Sequence, residues 1–541
     1  MKQFLLTLML ALSLMSFQQK DDPKPKLIVG IVVDQMRYDY LTQFAHHYGD
    51  DGFNRLLQEG FNVENGHFNY IPTKTAAGHA SVFTGTTPAN HGILGNDFYD
   101  KFQRKMVYCV ADENYQTVGG INGGMKSPNR MKTTTISDQL NLHQYKQGKV
   151  IGIAIKDRSA ILPAGHTANA AYWFEGRDEG KFISSTYYMN QLPKWVEDFN
   201  NSGTAEDYAN SVWDTYYPIK KYTASLEDNN PYEGKFAAKD EPTFPYDLKE
   251  LREANNNFDL IKATVFGNSI TTDFAIAAIK GEKLGSSDYT DFLSVSYSST
   301  DYIGHQFGVD SKEIEDTYVR LDLEIARLLK TLDKKVGKGN YTLFLTADHA
   351  AVRVPQYLMD ENIPGGYNSR TGLRAFLAEL TQAKYGRNDL IENISNEQIF
   401  LNDSILKSAG IDRMQAGNYI AQELVNYKDV YKAVSAQTMQ ESEFSKGILH
   451  LLQMGYNQKY SGDVLYVNMP NQISYSRTGS THGSGYNYDT HVPIIFFGNG
   501  IKPGKTTTYY TVTDIVPTIS NLLGITFSNA NSGLIIDQAL K

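Results

Sequence analysis

The sequence predicts an α/β fold, with a large, mostly parallel central sheet flanked by helices. Three observations lead there. Apolar, strand-like runs alternate with helical patterns, as strand–helix–strand crossovers require. Four of those runs end in residues that can hold a metal or a phosphate: 26–34 (KLIVGIVVD), 150–158 (VIGIAIKDR), 291–301 (DFLSVSYSSTD, with His305 four residues on) and 341–349 (YTLFLTADH). The chain has 541 residues, 41% of them hydrophobic, enough to bury a large core. In open α/β sheets, ligands bind beyond the carboxyl ends of the strands. Charged groups gathered there from distant parts of the chain build one site, so the expectation is a single metal-dependent catalytic domain over 21–541.

The elements follow in chain order. Residues 1–20 open with Lys2 and continue FLLTLMLALSLM, which reads as a secretory signal peptide. That apolar core is shorter than the ~20 residues a spanning helix requires. No other run is long enough to span a membrane, and no cysteine follows the leader to carry a lipid. An exported protein, periplasmic or secreted, is expected. Residues 21–26 (DDPKPK) form a short linker. Residues 71–85 (IPTKTAAGHASVFTG) form a small-residue stretch compatible with a helix starting near Thr75. Residues 172–266, rich in Tyr, Asn, Asp and Pro, and residues 350–475 break the strand–helix rhythm. Both read as insertions that shape or cover the mouth of the site. Between them lies an amphipathic helix, 313–335. Its Ile314, Tyr318, Leu321, Ile325, Leu328 and Leu332 recur at three-and-four spacing. Asp310 with Glu313 reads as its capping box and Gly337 as its stop.

Composition excludes some functions. The net charge is −9 and no basic stretch carries interleaved aromatics, so no nucleic-acid partner is expected. Cys109 is the only cysteine. It can form neither an intrachain disulfide nor a thiolate zinc site, and reads as a core residue. Any metal must therefore be held by His and carboxylate side chains.

Six side chains qualify: Asp34, Asp301, His305, Asp348, His349 and His482. Asp301 and His305, four apart, share one side of a helical turn. Asp348 and His349 are adjacent at a strand end. His482 lies in GSTHGSG, whose glycines permit tight backbone paths. Singly, each has an ordinary reading, Asp34 as a helix cap, Asp301 as a turn residue, the histidines as polar side chains. Three strands ending in Asp, two with His nearby, make one metal centre the better account. Mixed His and Asp ligands suit zinc, and two metals roughly 4 Å apart recur in phosphate-ester chemistry. His79, His91, His166 and His491 are expected to be structural.

Thr75 stands where a helix N-terminus would offer free N–H groups and a positive dipole end to phosphate. A threonine hydroxyl is a weak nucleophile until a base or metal promotes its ionisation. In isolation, Thr75 would pass for an N-cap. Thr73 is the fallback nucleophile, and Lys74 is expected to face solvent.

The ordered set VVDQMRYDY, PTKTAAGH, GILGNDFYD, KDRSAILPAGH, STDYIGHQFG, TADH and STHGSGYNYDTHVP resembles the alkaline phosphatase superfamily. Within it, the set resembles the periplasmic phosphate-irrepressible alkaline phosphatases, which use threonine as nucleophile. The resemblance runs over 26–536 and includes TDIVPTI at 513–519. It implies an alkaline-phosphatase-like fold with inserted cap segments, and two Zn²⁺ ions as cofactors. Asp301, His305 and His482 would hold one ion. Asp34, Asp348 and His349 would hold the other, with Thr75 as its exchangeable ligand. Asn96 in LGND would donate its side-chain N–H to a phosphoryl oxygen. Lys156 and Arg158 in KDR would contact the phosphoryl group from the side opposite the metals. The sequence departs from the family at Ala350, where glycine is usual after ADH, and in GSGYN after His482.

Lys156 and Arg158 also decide the substrate class. A phosphate monoester brings two negative charges and gains from cations on its non-bridging oxygens. A diester brings one and needs room for a second substituent. The related diesterases share the metal ligands and the threonine but lack the KDR cations. The expectation is a broad-specificity, zinc-dependent phosphate monoesterase, an alkaline phosphatase acting on small-molecule phosphate monoesters. In-line transfer to Thr75 would give a phospho-threonine intermediate, then hydrolysis. The alternatives are a phosphodiesterase or nucleotide pyrophosphatase on the same two-metal scaffold, and a non-catalytic binding protein on this fold. A sulfatase would need a modified Cys or Ser in a C/S-x-P-S-R context, and Cys109 sits in VYCVADE. The sequence leaves the oligomeric state open, and a monomer is compatible with it.

Overall fold

The computed structural model describes residues 24–541; the leader expected at 1–20 lies outside the described residues. Ten strands form the central sheet: β1 (Leu27–Val33), β2 (Phe61–Val63), β3 (Thr117–Val118), β4 (Val150–Ala154), β5 (Ala170–Glu175), β6 (Lys181–Ser185), β7 (Asp291–Tyr297), β8 (Tyr341–Thr346), β9 (Ile494–Gly498) and β10 (Gly504–Thr506). Their order across the sheet is β10-β2-β9-β8-β1-β7-β4-β5-β6-β3. All but β6 and β9 run in one direction, so the sheet is mixed but mostly parallel.

β1 is buried along its whole length, as a strand covered on both faces must be. Alternate side chains meet two different helix layers. Gly152 on β4 and its partner Ala171 on β5 face the helix Asp157–Ala164. A Cβ at position 152 would lie 2.2 Å from the Ala160 carbonyl oxygen. The next residue on β5, Tyr172, faces the other way and packs edge-on against Phe274 of the helix Val265–Gly281. The first layer also holds the helices Thr75–Thr84 and Ile515–Leu523, and the second holds Lys312–Leu332.

The helix expected at 313–335 is Lys312–Leu332, and its six periodic apolar residues are all buried. Its cap differs from the expected one. Ser311 accepts from Ile314 N at 3.2 Å, while both oxygens of Asp310 are drawn off to Arg353 Nε at 3.0 Å.

The first of the two segments read as insertions leaves the sheet later than the sequence suggests. Residues 172–185 do not leave the sheet, because they fall in β5 and β6 and the turn between them. The first excursion therefore spans 186–264. It is pinned to the long helix by Trp213, whose Nε1 donates to Asp316 Oδ2 at 2.8 Å. The second excursion holds its own four-stranded antiparallel sheet, Ile391–Ser395, Gln398–Leu401, Val464–Asn468 and Val430–Ser435. It also has its own core around Leu377, Ile399, Ile420, Leu424 and Val464.

Candidate active site

β8, β1, β7 and β4 are consecutive neighbours in the sheet, and their carboxyl ends lie side by side on one edge. β8 runs out into Asp348 and His349, and β1 into Asp34. β7 leads into the helix Ser299–Phe307, which bears Asp301 and His305. β4 leads to Lys156 and the helix Asp157–Ala164, which bears Arg158. His482 arrives on the loop before β9.

The six candidate ligands converge. His305 Nε2 lies 3.2 Å, and His482 Nε2 3.7 Å, from Asp301 Oδ1. His349 Nε2 lies 3.5 Å from Asp34 Oδ1 and 3.6 Å from Asp348 Oδ2. The rings of His349 and His482 stack with centroids 3.3 Å apart, so the two clusters adjoin. Asp301 stands between them: its ligand atoms group with His305 and His482 and also with Asp34 and His349, each set within 4.8 Å.

Each histidine is oriented from behind by a carbonyl. Nδ1 donates to Ser480 O from His305 (2.7 Å), to Thr73 O from His482 (2.7 Å) and to Ala350 O from His349 (3.1 Å). A carbonyl only accepts, so each proton sits on Nδ1 and the Nε2 lone pair faces the carboxylates. Burial drives the pKa values of His349 and His482 well below the usual range and keeps both neutral, the form that binds metal.

The carboxylates fit a cation. Asp34 Oδ1 and Asp348 Oδ2 are buried with no hydrogen-bond partner among the described residues. Buried polar atoms are normally satisfied, and both of these oxygens lie within reach of the same imidazole lone pair. Burial, then the neighbouring Asp301, raises the Asp34 pKa well above the carboxylate range. Burial pushes Asp348 up to about 7. Burial also opposes ionisation of Asp301, but His305 and Lys156 outweigh it and hold its pKa well below the usual value.

Thr75 is not an N-cap. The helix Thr75–Thr84 begins at Thr75 itself, with Lys74 in the cap position and no side chain capping it. Thr75 Oγ1 lies 3.4 Å from His349 Nε2. Gly78 permits this approach, since a Cβ there would lie 2.1 Å from the Asp348 carbonyl oxygen. Asn96 Oδ1 accepts from Ala76 N in the first turn at 2.9 Å, which leaves the amide NH₂ free to donate elsewhere. Thr73 is committed to the loop, its hydroxyl donating to Ser484 O at 2.8 Å. Lys74 does not stand free in solvent as expected: its Nζ donates to His482 O at 2.7 Å.

Lys156 is buried, and its Nζ bridges Asp34 Oδ2 at 2.6 Å and Asp301 Oδ2 at 2.5 Å. It therefore sits on two of the candidate ligand carboxylates. Arg158 donates from Nη1 to the Tyr108 hydroxyl at 3.1 Å, while its buried Nε has no partner among the described residues. The Tyr108 hydroxyl donates in turn to Asp157. Asp157 Oδ2 pairs with Lys126 Nζ at 3.1 Å.

Four residues that matter here escaped the sequence reading of roles. Gln35 donates from its backbone N to Asp348 Oδ1 at 3.1 Å and from Nε2 to Asp301 Oδ1 at 2.7 Å. Its φ of 62° is unusual for a non-glycine residue, the kind of strain that gathers at functional sites. His79 Nδ1 donates to Thr75 O at 2.9 Å and lies 3.3 Å from Asp348 Oδ2, while its Nε2 accepts from Ser296 Oγ at 2.9 Å. The four-residue spacing from Thr75 was the available signal. Lys74 and Tyr108 had no comparable signal, because their partners are remote in sequence.

A family model described as type I phosphodiesterase / nucleotide pyrophosphatase matches residues 28–480. Alkaline phosphatase PafA of Elizabethkingia meningoseptica is 42% identical, over 100% of this chain and 99% of its own. Alkaline phosphatase PhoV of Synechococcus elongatus is 44% identical, over 96% and 93%. A protein of Myroides odoratus named a calcium-transporting ATPase is 46% identical, over 96% and 95%. The crystal structure of wild-type PafA matches this fold with a TM-score of 0.92 at 43% identity, covering 96% of this chain and 99% of that one. The chain belongs to the type I phosphodiesterase / nucleotide pyrophosphatase family, a branch of the alkaline phosphatase superfamily, and it has the PafA fold.

Proposed function

We propose that this hydrolase is an exported, zinc-dependent phosphate monoesterase with Thr75 as its nucleophile. One observation carries the monoester reading: two cationic side chains follow β4, Lys156 buried against Asp34 and Asp301 and Arg158 half-buried two residues on, held by Tyr108. That the buried Arg158 Nε has no partner among the described residues supports its donating to an anionic oxygen. A doubly charged group repays the desolvation of two cations better than a singly charged one. The names of PafA and PhoV, both alkaline phosphatases, support the same reading. A solved PafA variant alters one Thr, one Asn, one Lys and one Arg, at the relative spacings of Thr75 to Asn96 and Lys156 to Arg158. Export rests on the 1–20 leader alone.

Two ions held by Asp34, Asp348 and His349 and by Asp301, His305 and His482 would supply Lewis-acid activation of the attacking and leaving oxygens. The chain's own residues do the rest. The N-terminus of the helix Thr75–Thr84 draws the phosphate in. Thr75 Oγ1, having lost its proton to water, attacks phosphorus in line as the ester oxygen departs. The Asn96 amide, Lys156 and Arg158 oppose the charge on the other oxygens. Water then cleaves the phospho-threonine, releasing phosphate and restoring the hydroxyl. His79 is not a proton carrier, since burial lowers its pKa to about 4 and both its nitrogens are engaged. It holds the Thr75 backbone in place.

The test is kcat/KM on a matched aryl phosphate monoester and diester with zinc-loaded protein. A strong monoester preference is expected. A diester preference would reassign the protein as a phosphodiesterase, the reading that the family description favours. ATP belongs in the same assay, given the ATPase name of the Myroides relative.

A further inference from the structure

We propose that His46, His47 and Glu315 form a second metal site, separate from the catalytic one, that takes a single zinc-like divalent ion. His46 and His47 end the short 3-10 turn Ala45–His47, and Glu315 lies in the first turn of Lys312–Leu332. Both imidazoles present Nε2 to the same oxygen. Glu315 Oε1 lies 3.0 Å from His47 Nε2 and 3.9 Å from His46 Nε2, and the two rings are 3.9 Å apart. Zinc binds nitrogen and oxygen ligands at about 2.0–2.2 Å, which sets neighbouring ligand atoms about 3.3–3.6 Å apart in a tetrahedron. The observed separations straddle that value, so small side-chain rotations seat an ion.

The surroundings resemble a ligand's supporting shell. Glu315 is fully buried, its Oε2 accepts from the Ser225 hydroxyl, and Ala224 N donates to Oε1 at 3.4 Å. Such contacts fix a ligating carboxylate. Tyr217 stacks on His47 at 5.6 Å. His46 is exposed, which leaves a fourth position open to water. A His–Glu ion pair explains His47 alone; it gives no reason for His46 to bring its Nε2 to the same oxygen. Two imidazoles and one carboxylate suit zinc. The ion would clip together the Ala45–His47 turn, the long helix and, through residues 224 and 225, the 186–264 excursion. Its role is structural.

The experiment compares zinc content in wild type and the His46→Ala/His47→Gln variant after gel filtration at the same free Zn²⁺, with anomalous scattering at the zinc edge from wild-type crystals. Wild type should hold one more zinc per chain. An anomalous peak should lie within ligand distance of the three side chains, and the variant's kcat/KM on a phosphate monoester should be unchanged. His46→Ala alone, at an exposed residue, provides a second variant that reads the same way. Equal zinc in wild type and both variants, or no peak, overturns the proposal. The difference between the proteins stays at one ion whatever the catalytic site holds. Failure of the two-zinc reading there would instead appear as a change common to all of them.

Discussion

Three candidate metal ligands, Asp34, Asp348 and His349, reach the site directly off the ends of parallel strands, whereas Thr75, Asn96 and Arg158, which would grip a phosphoryl group, reach it from a loop and two helix starts. Val33 pairs with Tyr297, and Val32 with Thr346, so Asp34, Asp301 and Asp348 are held by the register of the sheet. A one-residue slip of a strand would displace them and reverse every side chain along it. Asn96 is held by one backbone N–H, and Arg158 by a tyrosine in the hairpin Asp97–Asp100/Lys105–Tyr108. The second excursion touches the same hairpin, where Asn396 Nδ2 donates to Asp97 O at 2.8 Å. The rigid part would thus carry chemistry that any phosphate ester can use. The part that would choose among esters hangs on a few side-chain contacts, which sequence change alters without disturbing the core.

Four experiments would break or sharpen that contrast. Thr75→Ala leaves the ligand floor intact and removes the attacking hydroxyl, so kcat/KM on an aryl phosphate should fall about 10⁴-fold or more. Zinc content should not change; an active variant would sink the nucleophile assignment. Arg158→Ala acts on the grip alone. It should lower monoester turnover about 10²–10³-fold and diester turnover far less. Equal losses on both substrates would show that Arg158 supports the whole site and not the substrate choice. Tyr108→Phe keeps the ring but deletes the hydroxyl between Arg158 and Asp157. The expected loss is about tenfold, confined to the monoester; an unchanged rate ratio would deny Tyr108 a positioning role.

The smallest effect concerns the far end of the helix that starts beside Arg158. Ser137 ties the helix Ile136–His143 to Pro163 O and Ala164 O at 2.9 and 3.0 Å. Within the same cluster, His166 Nδ1 lies 3.1 Å from Asp138 Oδ2. Burial works against the His166 cation, but its hydrogen bond and charge pairing with Asp138 outweigh it and raise the pKa. A raised histidine contributes fully below its unfolded pKa of about 6.5 and loses that contribution as pH rises through the folded value. His166→Gln should therefore cost under about 1 kcal/mol at about pH 6 and nothing measurable at about pH 9. Thermal melts at both pH values would show it, and a gap that widened with pH would mean that folded His166 stands neutral.

Several parts of the site were legible because the signal is local. KLIVGIVVD, TADH and the i, i+4 pair Asp301 and His305 each put ligand types where a strand must end or a helix must turn. The length of the long helix could be read from its apolar spacing, but its cap could not, because Arg353 competes for Asp310 across the fold. Residues 172–185 read as part of the first excursion because β5 and β6 are rich in aromatics, a composition shared by outer strands and excursions alike.

By itself the sequence determined which residues could ligate, that all but His482 follow strands, and that two cations follow β4. These are properties of neighbouring residues and their period. The tertiary structure alone decided that β8, β1, β7 and β4 stand in that order. It also decided that Lys156 lies on Asp34 and Asp301, that Lys74 turns to His482, and that Gln35 links two carboxylates. Each of those contacts joins groups more than a hundred residues apart. Their energy depends on burial and direction, which no local pattern records.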